Sequence, residues 1–202
     1  MSDAHPIQVY TDGSACNNRP VAAYFVSRRT FAAQLCSDAP DQAPDGTASF
    51  MAELSAIDLA LTELEGRLSI HTDHTGLVRL MRCARTGTTF TAAATKFPRL
   101  ASVRDSFDAR HCTINHCRGH GEHAPPGIRV ADQLARALAK RADRIEPLAG
   151  GRIDASTFSF GTKGSLLARI QLAFCRFDQG TATTLHAPSF SASRVSAEPV
   201  AV

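Results

Sequence analysis

Residues 7–18, IQVYTDGSACNN, decide the reading of this chain. Ile7, Val9 and Thr11 alternate with Gln8, Tyr10 and Asp12, the period of a β-strand. Gly13-Ser14 then predict a turn, so Asp12 is expected to end the strand. An acid at a strand end is unremarkable alone, and its meaning depends on what the rest of the chain brings to it.

Two further β-rich runs follow, Val21 to Arg28 and Thr30 to Ser37, with only Arg28-Arg29 as a tight turn between them. Three strands with short links predict an antiparallel meander. Ser37 to Thr47 holds Pro40, Pro44 and Gly46 and reads as a loop. Met51, Leu54, Ile57, Leu61 and Leu64 then recur at helical spacing, and Gly66 stops the helix. Leu68 to Thr72 predicts a strand, and a helix with Leu77, Leu80 and Met81 begins near Thr75. Thr86 to Thr95, rich in Thr, Gly and Ala, reads as a loop. A helix over Phe97–Ala109, a strand over Cys112–Cys117 and a helix over Val130–Arg144 complete the pattern. The order β-β-β-α-β-α-α-β-α needs antiparallel pairing at its start and parallel pairing through its helices. A mixed sheet with helices on both faces meets both needs.

From Pro147 onward Ser, Thr, Ala, Gly and Pro dominate. The expected division is a domain over residues 1–146 and an extension over 147–202. Within the extension, Leu166 to Phe177 fits a helix and a strand equally, as a segment that docks on the domain or binds a partner. Residues 179–202 are expected to be flexible.

The formal charge of +3 over 202 residues permits nucleic-acid binding without arguing for it. An electrostatic footprint would need local clusters such as Arg79, Arg82 and Arg85, or Lys96, Arg99 and Arg104. Six scattered cysteines fit a reducing compartment and no disulfide framework. No apolar run approaches the ~20 residues of a membrane span, and Met1 to Pro6 lack the features of a signal peptide. A cytoplasmic, monomeric protein is the expectation.

His111 to His123, HCTINHCRGHGEH, is dense in soft metal ligands. Strand alternation sends Cys112, Ile114 and His116 to one face and His111, Thr113, Asn115 and Cys117 to the other. They cannot converge on one tetrahedral ion, and the cysteines read better as small core residues.

Four acids carry more weight. Asp12 and Asp73 each end a strand, while Glu53 and Asp132 sit on helices near their starts. If the first and fourth strands are central neighbours, all four reach one end of the sheet. Such a cluster repels itself unless cations neutralise it. Its hard oxygen ligands favour Mg²⁺ or Mn²⁺.

The motifs around these acids resemble those of ribonuclease H, type I: YTDGSACNN (Tyr10–Asn18), MAELSAIDLAL (Met51–Leu61), IHTDHTGLV (Ile70–Val78) and RGHGEHAPPGIRVADQLA (Arg118–Ala135). The resemblance spans Ile7 to Arg144. It implies the ribonuclease H-like fold, a five-stranded mixed sheet of three antiparallel then two parallel strands. It implies cleavage of the RNA strand of RNA–DNA hybrids by two Mg²⁺ ions, with Mn²⁺ as a substitute, giving 3′-hydroxyl and 5′-phosphate ends. Asp12, Glu53, Asp73 and Asp132 would hold the metal, and His120 would relay protons, or His123 if the loop before Asp132, two residues longer than in the family, shifts register. Ser14, Cys16, Asn18, Ser49 and His74 would line the substrate path. Ser49 follows Ala48 where the family commonly has Thr-Asn, His74 replaces a serine and Ile128 an asparagine. Arg28 or Arg29 is placed to touch a phosphate. The alternatives are a binding module that does not cut, and a related exonuclease or resolvase.

Overall fold

A computed structural model of the chain describes residues 5–16, 19–36, 46–119, 123–141, 144–145, 147–148, 152–153 and 163–185. Strands β1 (Ile7–Cys16), β2 (Arg19–Ser27) and β3 (Thr30–Leu35) form the meander. Helix α1 (Thr47–Glu63), β4 (Leu68–Thr72), α2 (Thr75–Arg82), α3 (Thr88–Lys96), α4 (Arg99–Ala109), β5 (Thr113–His116) and α5 (Pro126–Arg141) follow. Three two-residue strands, β6 (Arg144–Ile145), β7 (Pro147–Leu148) and β8 (Arg152–Ile153), lead to α6 (Lys163–Leu185).

The main sheet runs β5-β4-β1-β2-β3-β6. β1, β2 and β3 pair antiparallel, whereas β1 with β4 and β4 with β5 pair parallel. These are the five expected strands in the expected mixed sheet, with short β6 added beside β3. The pairing of Tyr10 with His71 sets Asp12 and Asp73, two residues further along each chain, level at one end of the sheet.

Alternation sorts the side chains into two cores. Val9, Leu68, Ile70, Cys112 and Ile114 face α1 to α4 and pack with Leu54, Ile57, Leu77, Leu100 and Phe107. Val21, Ala23, Phe25, Phe31 and Ala33 face the other way, against Val130, Leu134 and Leu138 of α5 and Ile170 and Phe174 of α6. α1 starts after Gly46 and is followed by Gly66, both in the left-handed region at φ 84° and 78°. The Arg110 guanidinium reaches across from the end of α4 and donates to the carbonyls of Leu61, Leu64 and Gly66. That satisfies acceptors which a helix end leaves without partners.

The structure departs from the sequence reading in four places. β1 does not stop at Asp12 but continues through Gly13 to Cys16, still paired with β2. Thr88–Lys96 is helical, not a loop. Threonine is a modest helix former, but Thr91 and Thr95 donate their hydroxyls to the carbonyls of Gly87 and Thr91. Phe90 is buried there beneath the Arg104 guanidinium. α5 begins one turn before Val130, at Pro126, whose fixed φ suits a first helical position. The two-fold ambiguity of Leu166–Phe177 resolves as helix, and the helix runs on to Leu185 through residues expected to be flexible.

Candidate active site

Asp12 comes from β1, Glu53 from α1, Asp73 from the residue after β4 and Asp132 from α5. One ligand oxygen from each of Asp12, Glu53 and Asp73 lies within 4.8 Å of the others. Asp12, Glu53 and Asp132 are buried, and Asp73 is half-buried. All four line an open cleft of about 300 Å³, together with His74, Arg136, Ser14 and Ser49.

Glycine allows this convergence. A Cβ on Gly13 would overlap the backbone of Ala52 and Glu53, so only glycine lets α1 cross β1 this closely. A Cβ on Gly119 would land on the Asp73 carboxylate, and one on Gly127 would enter the Tyr10 ring. Glu53 is oriented by two donors: the Thr72 hydroxyl at 3.2 Å from Oε2 and the Gly13 backbone N–H. Thr72 in turn accepts from the backbone N–H of His74 at 3.2 Å.

The electrostatics are those of an acid cluster that a single arginine, Arg136, only partly compensates. Burial, then the charges of Glu53, Asp132 and Asp73, raise the Asp12 pKa well above the carboxylate range, with Arg136 opposing. Burial and the neighbouring Asp73 push Glu53 up to about 8. The thiol of Cys117 is pushed up to about 11 by burial and then by the same acids. Converging carboxylate oxygens with little nearby positive charge suit a hard divalent cation.

Asp132 stands slightly apart from the three converging acids. Its Oδ1 accepts from Arg136 Nε at 2.6 Å, one helical turn on, and its Oδ2 accepts from Gln133 at 3.0 Å. Sequence reasoning passed over Arg136 although the i,i+4 acid–base spacing on a helix was available as a signal. It also took Gly13 for a turn residue and gave Thr72 no role.

The other expected site residues divide. Ser14 and Ser49 line the cleft. So does His74, but its Nδ1 accepts from the Leu77 N–H at 3.0 Å and caps α2. Cys16 closes β1 by pairing with Arg19. Asn18 and His120 lie outside the described residues, whereas His123 is exposed just ahead of α5. Four of the six residues in the proposed basic clusters are engaged within the fold, Arg82 with the Ile114 carbonyl, Arg85 with Asp105, Arg99 with Asp58, and Arg104 with Asp108, whereas Arg79 and Lys96 are exposed. Arg28 pairs with Asp178 of α6 at the end of β2 away from the acids. In the His/Cys stretch, Cys112 and Ile114 are buried, and Cys112 Sγ accepts from the Leu68 N–H. His116 is exposed and bonded to Thr75.

Converging carboxylates at one end of a mixed α/β sheet fit a site for a hard divalent cation. The RNase H family profile matches residues 4–140, well over half of the chain, and the chain belongs to that family. It is accordingly a nuclease domain of the kind that acts on RNA–DNA hybrids, and its acid cluster fits a metal site. No curated relative matches the chain.

Proposed function

We propose that the protein is an endonuclease that hydrolyses the RNA strand of RNA–DNA hybrids with divalent metal, leaving 3′-hydroxyl and 5′-phosphate ends. The observation that carries this reading is the convergence of Asp12, Glu53 and Asp73 within 4.8 Å in a chain of the RNase H family. These three, joined by Asp132, would hold two Mg²⁺ ions, with Mn²⁺ as a substitute. When bound, such ions supply the charge that activates water and stabilises the leaving oxygen. Asp12, central to the cluster, would serve both ions. The Gly13 amide and the Thr72 hydroxyl fix the Glu53 carboxylate, so the site is oriented before substrate arrives.

The open cleft admits a duplex backbone, and Ser14 and Ser49 on its rim offer short hydroxyls to a 2′-hydroxyl or a phosphate. In neutral His74, with Nδ1 accepting from Leu77, the proton sits on Nε2, which makes that nitrogen a donor. His120, or His123, would relay a proton, the general acid–base role that histidine commonly fills.

Cleavage of labelled RNA–DNA hybrid, duplex DNA and single-stranded RNA, with Mg²⁺ and with EDTA, tests the proposal. Hybrid should be cut internally, in its RNA strand alone and only with metal. Asp12→Asn should lower the rate by at least about 10³-fold, in line with loss of a principal electrostatic element, while the circular dichroism spectrum is retained. Tight hybrid binding without cleavage would replace this reading with that of a binding module.

A further inference from the structure

Glu53 is held by the Thr72 hydroxyl and the Gly13 backbone N–H, whereas Asp132 is held chiefly by a cation. Arg136 Nε lies 2.6 Å from Asp132 Oδ1. Asp132 is nearly buried, with its side chain 12% exposed, whereas the Arg136 side chain is 53% exposed and lines the same cleft. An ionised carboxylate in that place needs a positive partner when no metal is bound, and Arg136 provides it. The i,i+4 spacing on α5 keeps the guanidinium beside the acid without fixing it there, because its exposed stem is free to turn towards solvent.

We infer that Arg136 is an exchangeable counter-ion: it holds Asp132 until divalent metal takes the carboxylate, and the released guanidinium then stands at the cleft for a substrate phosphate. A planar guanidinium with several N–H donors suits a phosphate as well as it suits a carboxylate. Arg136 is thus a positioning residue that acts through Asp132, and it sets how readily the fourth acid joins the other three. This inference rests on the metal reading of the site given above.

The test follows the ¹⁵N-labelled Nε–H signal of Arg136 in the full chain during Mg²⁺ titration without nucleic acid. The signal should begin at a hydrogen-bonded position and move to a free-guanidinium position as the metal saturates. In Asp132→Asn it should sit nearer the free position before any metal is added. Calorimetry gives the second readout. Arg136→Gln should bind Mg²⁺ roughly 2- to 5-fold more tightly, the size expected for loss of a partly exposed competing ion pair. Most of that gain should vanish in the Asp132→Asn background. An Arg136 signal that stays still while calorimetry shows metal uptake would overturn the exchange and leave the metal reading standing. So would an equal gain in both backgrounds, which would mean that Arg136 acts through its field alone. A wild-type chain that takes up no Mg²⁺ would remove the metal reading and this inference with it.

Discussion

The two faces of the sheet are built on different terms. The face under α1 to α4 is filled by large side chains, among them Leu54, Ile57, Leu77, Met81, Leu100 and Phe107, all from within residues 4–140. On the other face, α5 presents Ala131, Ala135, Ala137 and Ala139 beside Val130, Leu134 and Leu138. Small residues bring a helix close but fill little volume. The remaining space is filled from α6: Phe174 stacks on Phe25 and packs on Phe31 at centroid distances of 5.6 and 5.5 Å, and Phe177 meets Phe25 edge-on. α6 lies beyond the family match. One core is therefore complete within the family's domain, while the other needs the segment that follows it. The dependent core also seats α5, the helix that carries Asp132 and Arg136.

The harshest way to break this contrast is to end the chain before Lys163. Phe25 and Phe31 would lose their aromatic cover, and the buried Ile170 and Phe174 would be gone. At ~1.5–3 kcal/mol for each large apolar side chain, the loss is of the order of 5 kcal/mol, comparable with the whole stability of many domains. The truncated chain should bind a hydrophobic dye and unfold in urea well below the full chain. An unchanged midpoint would show that α6 contributes nothing to the second core.

Phe174→Ala sharpens the same point with one side chain. Phe174 is only 4% exposed, so its removal should cost about 3–5 kcal/mol, as buried phenylalanines do. Chemical denaturation measures it. A cost below about 1 kcal/mol would show that the space closes without the ring.

These residues also show what the sequence makes legible. The meander, α1 and the parallel strands follow from apolar periodicity, because each buries one strong face. Periodicity places Glu53, Asp73 and Asp132 on helix turns or just past a strand, and the surrounding motifs join them to Asp12, which lies within β1. α3 was hidden because its threonines are modest helix formers and it buries Phe90, not a repeated apolar stripe. α6 was ambiguous because Ile170, Leu172 and Phe174 alternate as well as they spiral. Only the partner surface, Phe25 with Phe31, selects the helix, and it leaves Leu172 52% exposed. Gly13 misled for a comparable reason. A glycine after an acid signals a turn in one dimension, and its actual role, the close passage of α1, exists only in three.

The faces should also differ in their response to pH. Glu53, on the α1 side, has a folded pKa of about 8 against an ordinary 4.5. The folded, metal-free state therefore binds this proton more tightly than the unfolded chain does. The stability it contributes is full below about 4.5 and is lost as pH rises through about 8. Asp12, also raised, acts in the same direction. Melting temperature in EDTA should fall across that window, and Glu53→Gln should flatten part of the slope. Under the metal reading, Mg²⁺ should raise the melting temperature more at the alkaline end, where it competes with fewer protons. Phe174→Ala, on the other face, should lower the whole curve without changing its slope. A melting temperature that rises with pH in EDTA would contradict a cluster that is only partly neutralised.

The smallest effect belongs to the contact that pins α6 to the hairpin. Arg28 Nη2 meets Asp178 Oδ2 at 2.6 Å, its guanidinium lies 5.6 Å from the Phe174 ring centroid, and it also donates to Cys175 Sγ at 3.7 Å. Both charged side chains are about half exposed, so solvent screens the pair and its share is ~1 kcal/mol or less. The cation–π contact adds a similar amount at an exposed site. Arg28→Ala should therefore lower stability by about 1 kcal/mol, and Asp178→Asn by less, since it removes only the ion pair. Salt distinguishes the two contributions. The wild-type advantage over Asp178→Asn should shrink towards zero near 1 M NaCl, where screening is strong. The advantage over Arg28→Ala should persist in part, because the stem of Arg28 still covers Phe174. If both differences vanished together, the ion pair alone would be holding this end of α6, and the aromatic stack would owe nothing to Arg28.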